Sequence, residues 1–349
     1  MLKSYLTSFI LFVGCANSIL SQQVRPLPNP VINIQCGQWS GVRRTGLLSP
    51  RMNQQVPTTC TYRISAISFQ ICQMRFEFRQ FSLAPPTLSN NGINSNGAAF
   101  QMCNDEHMTV GNITLCGENT GQHIYVPINP RQGERQLTVT ITTRGGNGFT
   151  RPEWNIAVHQ LECPLGQSRS LNVIQASTAQ KLKLNETVRT PRTLVSDWLA
   201  PPGCLQYYVQ PSGQIDSFNF NNGQGPYIGD MNYAICFRRQ RGDQAIKFIT
   251  TFFQMNTGNP ANQGFDDDCF GQEETLLRSE DHLFIPNASL ETRIDNVPVT
   301  LRPRLFCGRS LSSSTVTSTP PGPFMIAFNS DRVYSPSDEI GFRMQYEIV

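Results

Sequence analysis

The side chains of this sequence able to carry chemistry are four histidines, His107, His123, His159 and His282, and eleven cysteines. A histidine works as general base or metal ligand only with a nucleophile, carboxylate or second ligand beside it. Here the four are scattered, and His107, His159 and His282 alternate with apolar neighbours, which reads as exposed surface histidine. The frames G-x-S-x-G, G-D-S-G-G and H-E-x-x-H are absent from the sequence. The expectation is therefore no catalytic residue and no enzyme.

The cysteines point to a different use. The chain opens MLKSYLTSFILFVGCANSILSQQ, with an early positive charge at Lys3, an apolar run from Tyr5 to Cys15, and small residues before polar chain. This is the pattern of a secretory signal peptide, cleaved after Ser18 or, by preference, after Ser21. The run falls short of the ~20 apolar residues of a spanning helix. Loss of Cys15 with that segment leaves Cys36, Cys60, Cys72, Cys103, Cys116, Cys163, Cys204, Cys236, Cys269 and Cys307. An even set behind a signal peptide reads as disulfides. A zinc site wants close C-x-x-C pairs, and the nearest neighbours here, Cys60 and Cys72, are far wider. Asn112-Ile-Thr, Asn185-Glu-Thr and Asn287-Ala-Ser are glycosylation acceptors that agree with the secretory route. The protein is expected to be secreted and extracellular, with no membrane anchor. The net charge of +3 is spread among nearly as many acids, so nucleic-acid binding has no clustered basic footprint to rest on.

The elements that must hold these residues are strands. From Cys72 the apolar positions are Cys72, Met74, Phe76 and Phe78, with polar residues between, and the phase then slips to Phe81 and Leu83 as a bulge or strand end requires. Further alternations run through Leu137, Val139, Ile141; Trp154, Ile156, Val158; Ile246, Phe248, Phe252; Phe324, Ile326, Phe328; and Phe342, Met344, Tyr346, Ile348. Turn-rich stretches such as SNNGINSNG, TRGGNG, NNGQGP and TPPGP separate them. The fold class expected is all-β, with antiparallel sandwiches.

The parts recur. Cys103, Asp105 and Cys116-Gly117 in the first half have counterparts in Cys269, the stretch Asp281–Ile285 and Cys307-Gly308, and each half ends in a strand opened by an aromatic, Trp154 or Phe342. The organisation read from this is a signal peptide at 1–21, an N-terminal segment at 22–35, a first domain at 36–163, a linker at 164–199 and a second domain at 200–349. Tyr207, Tyr208, Tyr227 and Tyr233 read as core, and Arg238, Arg239 and Arg241 as a solvated hairpin end.

The order CTYRI, ICQMRFEF, CGENTGQHIYV, then LAPPGCLQYY, SFNFN, MNYAICFRR and DHLFIP, resembles tandem CUB domains, in particular a group of arthropod two-domain CUB proteins. The resemblance implies two jelly-roll β-sandwiches in tandem. It implies the pairs Cys36–Cys60 and Cys103–Cys116 in the first domain and Cys204–Cys236 and Cys269–Cys307 in the second, with Cys72–Cys163 left to join the remaining two. Closing a loop as short as Cys36–Cys60 removes roughly 3 kcal/mol of unfolded-chain freedom on the entropic picture. Many CUB domains hold calcium on loop acids, a hard cation taking oxygen ligands. Carried over, that set is Asp281, Asp331 and one of Asp266, Asp267 and Asp268, with Asp268 adjoining Cys269; the first domain, with Asp105 alone, lacks it. No cofactor is required on this reading beyond that candidate calcium. The implied function is recognition of an extracellular protein or glycan partner. The alternatives are a non-catalytic regulator of an extracellular protease cascade and a structural component of matrix or secreted fluid.

Overall fold

The computed structural model describes residues 31–50, 57–89, 99–144, 151–163, 198–256, 264–270, 280–294, 297–333 and 339–349. The proposed signal peptide, nearly all of the proposed linker and Asn185 lie outside the described residues. The first half contributes β1 (Ile32–Ile34), β2 (Trp39–Ser40), β3 (Arg44–Leu48), β4 (Thr58–Ser65), β5 (Ile71–Ser82), β6 (Thr87–Leu88), β7 (Gln101–Met102), β8 (His107–Val110), β9 (Ile113–Leu115), β10 (His123–Pro127), β11 (Gln136–Thr143) and β12 (Glu153–Glu162). The second contributes β13 (Cys204–Tyr208), β14 (Ser212–Asp216), β15 (Asn232–Phe237), β16 (Ile246–Gln254), β17 (His282–Phe284), β18 (Ala288–Ile294), β19 (Val297–Leu301), β20 (Leu305–Phe306), β21 (Thr315–Ser318), β22 (Phe324–Asn329) and β23 (Gly341–Ile348). No helix among the described residues is long and apolar enough to cross a membrane.

Alternation fixes which face each strand buries. In β5, Met74, Phe76 and Phe78 are buried while Arg75 and Glu77 are only partly so. Burying each phenylalanine is worth about 2–3 kcal/mol. The phase slip has its cause in the pairing with β12, which steps from Ile156–Phe78 to Asn155–Gln80 and leaves Arg79 unopposed. That extra residue bulges out and turns Phe81 into the core. The same device appears in β16, where Thr250 faces Met344 and Phe252 faces Arg343, so that Thr251 is the extra residue. Here the sequence reading needs correction: the bulge sends Phe253, not Phe252, into the core, and Phe252 packs on Phe220 with ring centroids 5.2 Å apart.

Each half is two sheets face to face. In the first the orders are β1-β3-β12-β5-β10 and β2-β4-β11-β8-β9; in the second they are β14-β23-β16-β21-β18-β19 and β13-β15-β22-β17-β20. The runs β3-β12-β5-β10 and β14-β23-β16-β21 correspond, as do β4-β11-β8-β9 and β15-β22-β17-β20. The bulged strands β5 and β16 occupy equivalent places, which is the internal repeat in three dimensions. Most pairings are antiparallel, as expected, but β1–β3, β2–β4 and β13–β15 are parallel. Their cause is the path of the chain: it crosses between layers at every strand here, so the next strand in the same sheet runs the same way. Both Cys-Gly pairs turn through left-handed glycine, Gly117 at φ 77° and Gly308 at φ 58°, a region that disfavours a side chain. Residues Val31–Val349 make one compact unit.

Candidate functional site

Two constellations gather chemistry-bearing side chains. The first is an acid pair in the second sandwich. Asp281, just before β17, is 1% exposed, and Asp331 follows β22. Tyr227 Oη donates to Asp281 Oδ2, and the Asp331 backbone N–H donates to Asp281 Oδ1 at 2.6 Å. Asp331 accepts from Glu280 N and from Val333 N at 2.7 Å. Burial, then the charge of Asp331, pushes the Asp281 carboxyl up to about 7; burial also raises Asp331. Both shifts favour uptake of a proton by the pair as pH falls through neutrality.

The expected calcium set is not assembled by the described residues. Calcium takes six to eight oxygens, and here two carboxyls meet whose oxygens each already accept a hydrogen bond. Asp268, the expected third acid, accepts instead from Gly264 N at 3.2 Å within its own turn, and Asp266 caps Arg304 N and Leu305 N at 2.8 and 3.1 Å. No group of three or more metal-ligating side chains occurs among the described residues. Two of the three expected carboxyls, Asp281 and Asp331, therefore meet, while Asp268 is held in its own turn.

The second constellation is a seam between the sandwiches, which the sequence reading missed. Gln73 of β5 donates to Ala200 O at 2.7 Å and accepts from Ala200 N at 3.0 Å. His123 of β10 places Nε2 3.1 Å from Tyr207 N, from which it accepts, and 3.0 Å from Tyr207 O. Asn119 Oδ1 accepts from Asn219 N at 2.8 Å, and Asn219 Oδ1 accepts from Glu118 N at 3.0 Å. Gln122 Nε2 donates to Ser217 O at 3.1 Å, and Gly229 N donates to Gln101 O at 2.9 Å. Around these bonds Tyr125 and Leu161 of the first half pack with Ala200, Tyr207 and Cys236 of the second as one buried cluster. Arg75 lies over Trp198 with its guanidinium carbon 4.8 Å from the ring centroid, and over Tyr125 at 5.8 Å. A Cβ on Gly117 would collide with Asn219, so the left-handed glycine also makes room for the clasp.

The histidines are corrected accordingly. His123 is 6% exposed; burial, then the Arg75 charge, holds its pKa down at about 3. Burial, then Arg44, Arg75 and Arg79, lowers His159 to about 4. His159 is thus a neutral imidazole: Nε2–H donates to Glu77 at 3.2 Å and Nδ1 accepts from Arg44 at 3.3 Å, a hydrogen-bonded relay rather than an ion pair. His107 is partly buried, with its pKa lowered by that burial. His282 Nδ1 lies 2.7 Å from Glu280 O. His123, His159 and His282 thus each have a hydrogen-bond partner, whereas the buried Nδ1 of His107 has none among the described residues. Tyr227 and Tyr233 are core as expected, whereas Tyr207 belongs to the seam and Tyr208 stands between His123 and the core ring of Phe237. Arg239 is no solvated end: it donates to Asp243 O, Pro320 O and Gly322 O and covers Phe324.

The cysteines form Cys36–Cys60, Cys72–Cys163, Cys103–Cys116, Cys204–Cys236 and Cys269–Cys307, the partners the resemblance implies. Cys72–Cys163 ties β5 to the residue after β12. Asn112 and Asn287 are exposed.

The family of animal CUB domains matches residues 201–349. The second sandwich is thus the part of the chain that is similar to animal CUB domains. The first sandwich shares the strand order of the second, as described above. No curated protein matches the chain. Solved structures similar to it include the CUB1-EGF-CUB2 domains of rat MASP-1, 13% identical over 91% of this chain and 100% of that one at a TM-score of 0.28. The human MASP-1/3 CUB1-EGF-CUB2 domain is 13% identical over 88% and 100%, at 0.26. The extracellular region of zebrafish Gpr126/Adgrg6 is 8% identical over 90% of this chain and 36% of that one, at 0.25.

Proposed function

We propose that this protein is a secreted, non-catalytic recognition protein whose two sandwiches act as one rigid body toward an extracellular partner. The observation that carries the reading is the seam. A tether would leave each domain its own surface and its own orientation. Here a buried histidine, a reciprocal glutamine–backbone pair and an asparagine clasp hold the halves in register, so loops of both present one fixed surface. Preorganisation of that kind lowers the ordering cost of binding. The side chains that catalysis would recruit serve elsewhere: His123 and His159 are neutral and bonded, the ten cysteines are paired, and Asp281 and Asp331 bond to each other's surroundings. No calcium ion is part of the proposal.

The test is a screen of the intact, disulfide-bonded protein against arrayed extracellular ectodomains and glycans, run beside a hydrolase panel. Saturable binding without turnover is expected. Reproducible turnover by protein purified to homogeneity overturns the reading.

A further inference from the structure

A polar cavity of about 1030 Å³ opens on the outward face of the second sandwich, away from the seam strands and the acid pair. Its floor follows from register. Lys247 of β16 faces Thr317 of β21, and Thr317 faces Ser289 of β18, a row roughly 10 Å across at the usual spacing of strands. Thr315 continues the floor, and Arg302, Arg304 and Asn287 complete the lining with Glu291. Val316 and Leu290, which alternate with these residues, are buried in the core, so the sandwich holds the floor rigid. None of the ion pairs among the described residues involves Lys247, Arg302 or Arg304. Three cations against Glu291 in the lining, with Glu347 opposite Lys247 on β23 at its edge, leave the cavity positive.

The lining selects a class of ligand. Its volume lies at the top of the range of small-molecule sites, about 300–1,000 Å³, far more than a simple anion fills. It lacks the aromatic and aliphatic anchors on which protein interfaces concentrate their energy, and no aromatic ring is there for a nucleobase to stack on. What it offers is hydroxyls and positive charge. We propose that this groove binds an acidic oligosaccharide, with sulfate or carboxylate groups on Lys247, Arg302 and Arg304 and sugar hydroxyls on Ser289, Thr315 and Thr317. Two sources carry that chemistry: a chain linked to Asn287, the acceptor of Asn287-Ala-Ser in the groove's own wall, and a sulfated chain from outside. The proposal deepens the recognition reading by naming a ligand class for one surface.

The experiment is calorimetric titration of the full-length protein with a heparin-derived hexasaccharide, using N287Q, which carries no chain at that position, and the secreted glycoprotein. N287Q is expected to bind saturably. Adding K247A, R302A and R304A together should weaken binding about tenfold, the sum of three solvent-exposed charge contacts, while R131A on the first sandwich changes nothing. R302A alone, at an exposed position, should cost about twofold and serves if the triple variant melts early. Glycoprotein that binds like N287Q identifies the outside chain as ligand; glycoprotein that binds only after enzymatic removal of its glycans identifies the linked one. Absence of saturable binding to N287Q, or a triple variant that binds within twofold of its parent at unchanged melting temperature, overturns the proposal. Turnover in the hydrolase panel would overturn the recognition reading and leave this result standing, so the two failures are distinguishable.

Discussion

Acidification should loosen the protein through one buried imidazole, and the size of the effect follows from its position in the seam. His123 titrates near 6.5 in an unfolded chain but is held at about 3 in the folded one by burial and by Arg75. Below pH 6.5 the unfolded chain gains a proton that the folded chain refuses, so stability is lost as pH falls from about 6.5 towards 3. The full loss is about 5 kcal/mol, from 1.36 kcal/mol for each pH step, and at pH 5 it is about 2 kcal/mol. His123→Gln keeps a side-chain acceptor for Tyr207 N and removes the titration. Guanidinium unfolding of both proteins at pH 7.5 and pH 5.0 isolates the effect, because His159 and the carboxyls titrate in both. The wild type should lose about 2 kcal/mol more than His123→Gln between the two pH values. Parallel losses would mean that His123 is solvated or charged in the folded protein and that the seam is not closed around it.

Gln73→Ala removes both partners of the Ala200 backbone in a buried place, and should cost about 2–4 kcal/mol in chemical denaturation, since each orphaned group costs about 1–3 kcal/mol; a loss under 1 kcal/mol would show that water reaches the seam. Replacing Cys72 and Cys163 together by serine opens a loop of sequence separation 91, and should lower stability by about 4–5 kcal/mol, more than opening Cys103–Cys116, whose separation is 13. Asp281 acts opposite to His123: its raised pKa means that its contribution is present below about pH 4 and is lost as pH rises through about 7. Asp281→Asn should therefore flatten the alkaline side of the stability profile, and an unchanged slope between pH 5 and pH 8 would refute this. Millimolar calcium should leave the melting temperature of the wild type unmoved; a rise of several degrees would show that the acid pair opens to take the ion.

The strands were legible because their cause is local. Alternation from Cys72 and from Phe342 places side chains by period two, and even the slip after Phe78 was visible, because a bulge inserts one residue and shifts the phase. The bulge in β16 was harder: Phe252 and Phe253 are adjacent phenylalanines, and pattern cannot say which one turns inward when Thr251 drops out of the ladder. The seam was missed because Gln73 and His123 look like outward polar positions of half-buried strands. A signal was present in HIYV, where His123, Ile124, Tyr125 and Val126 are all buried: a strand without alternation is covered on both faces, and something beyond its own sandwich had to cover it. The acid pair was half legible. Asp281 and Asp331 do meet, but the placement of Asp268 depends on a turn around Gly264 that sequence order does not reveal.

The claim that two sandwiches form one body is tested most directly by residual dipolar couplings of backbone amides, measured on the full-length protein in a weakly aligning medium. A single alignment tensor should fit the couplings of β1–β12 and β13–β23 together, and His123→Glu, which places a charge in the seam, should split them. Two tensors of different magnitude in the wild type would mean that the halves reorient independently and would contradict the account.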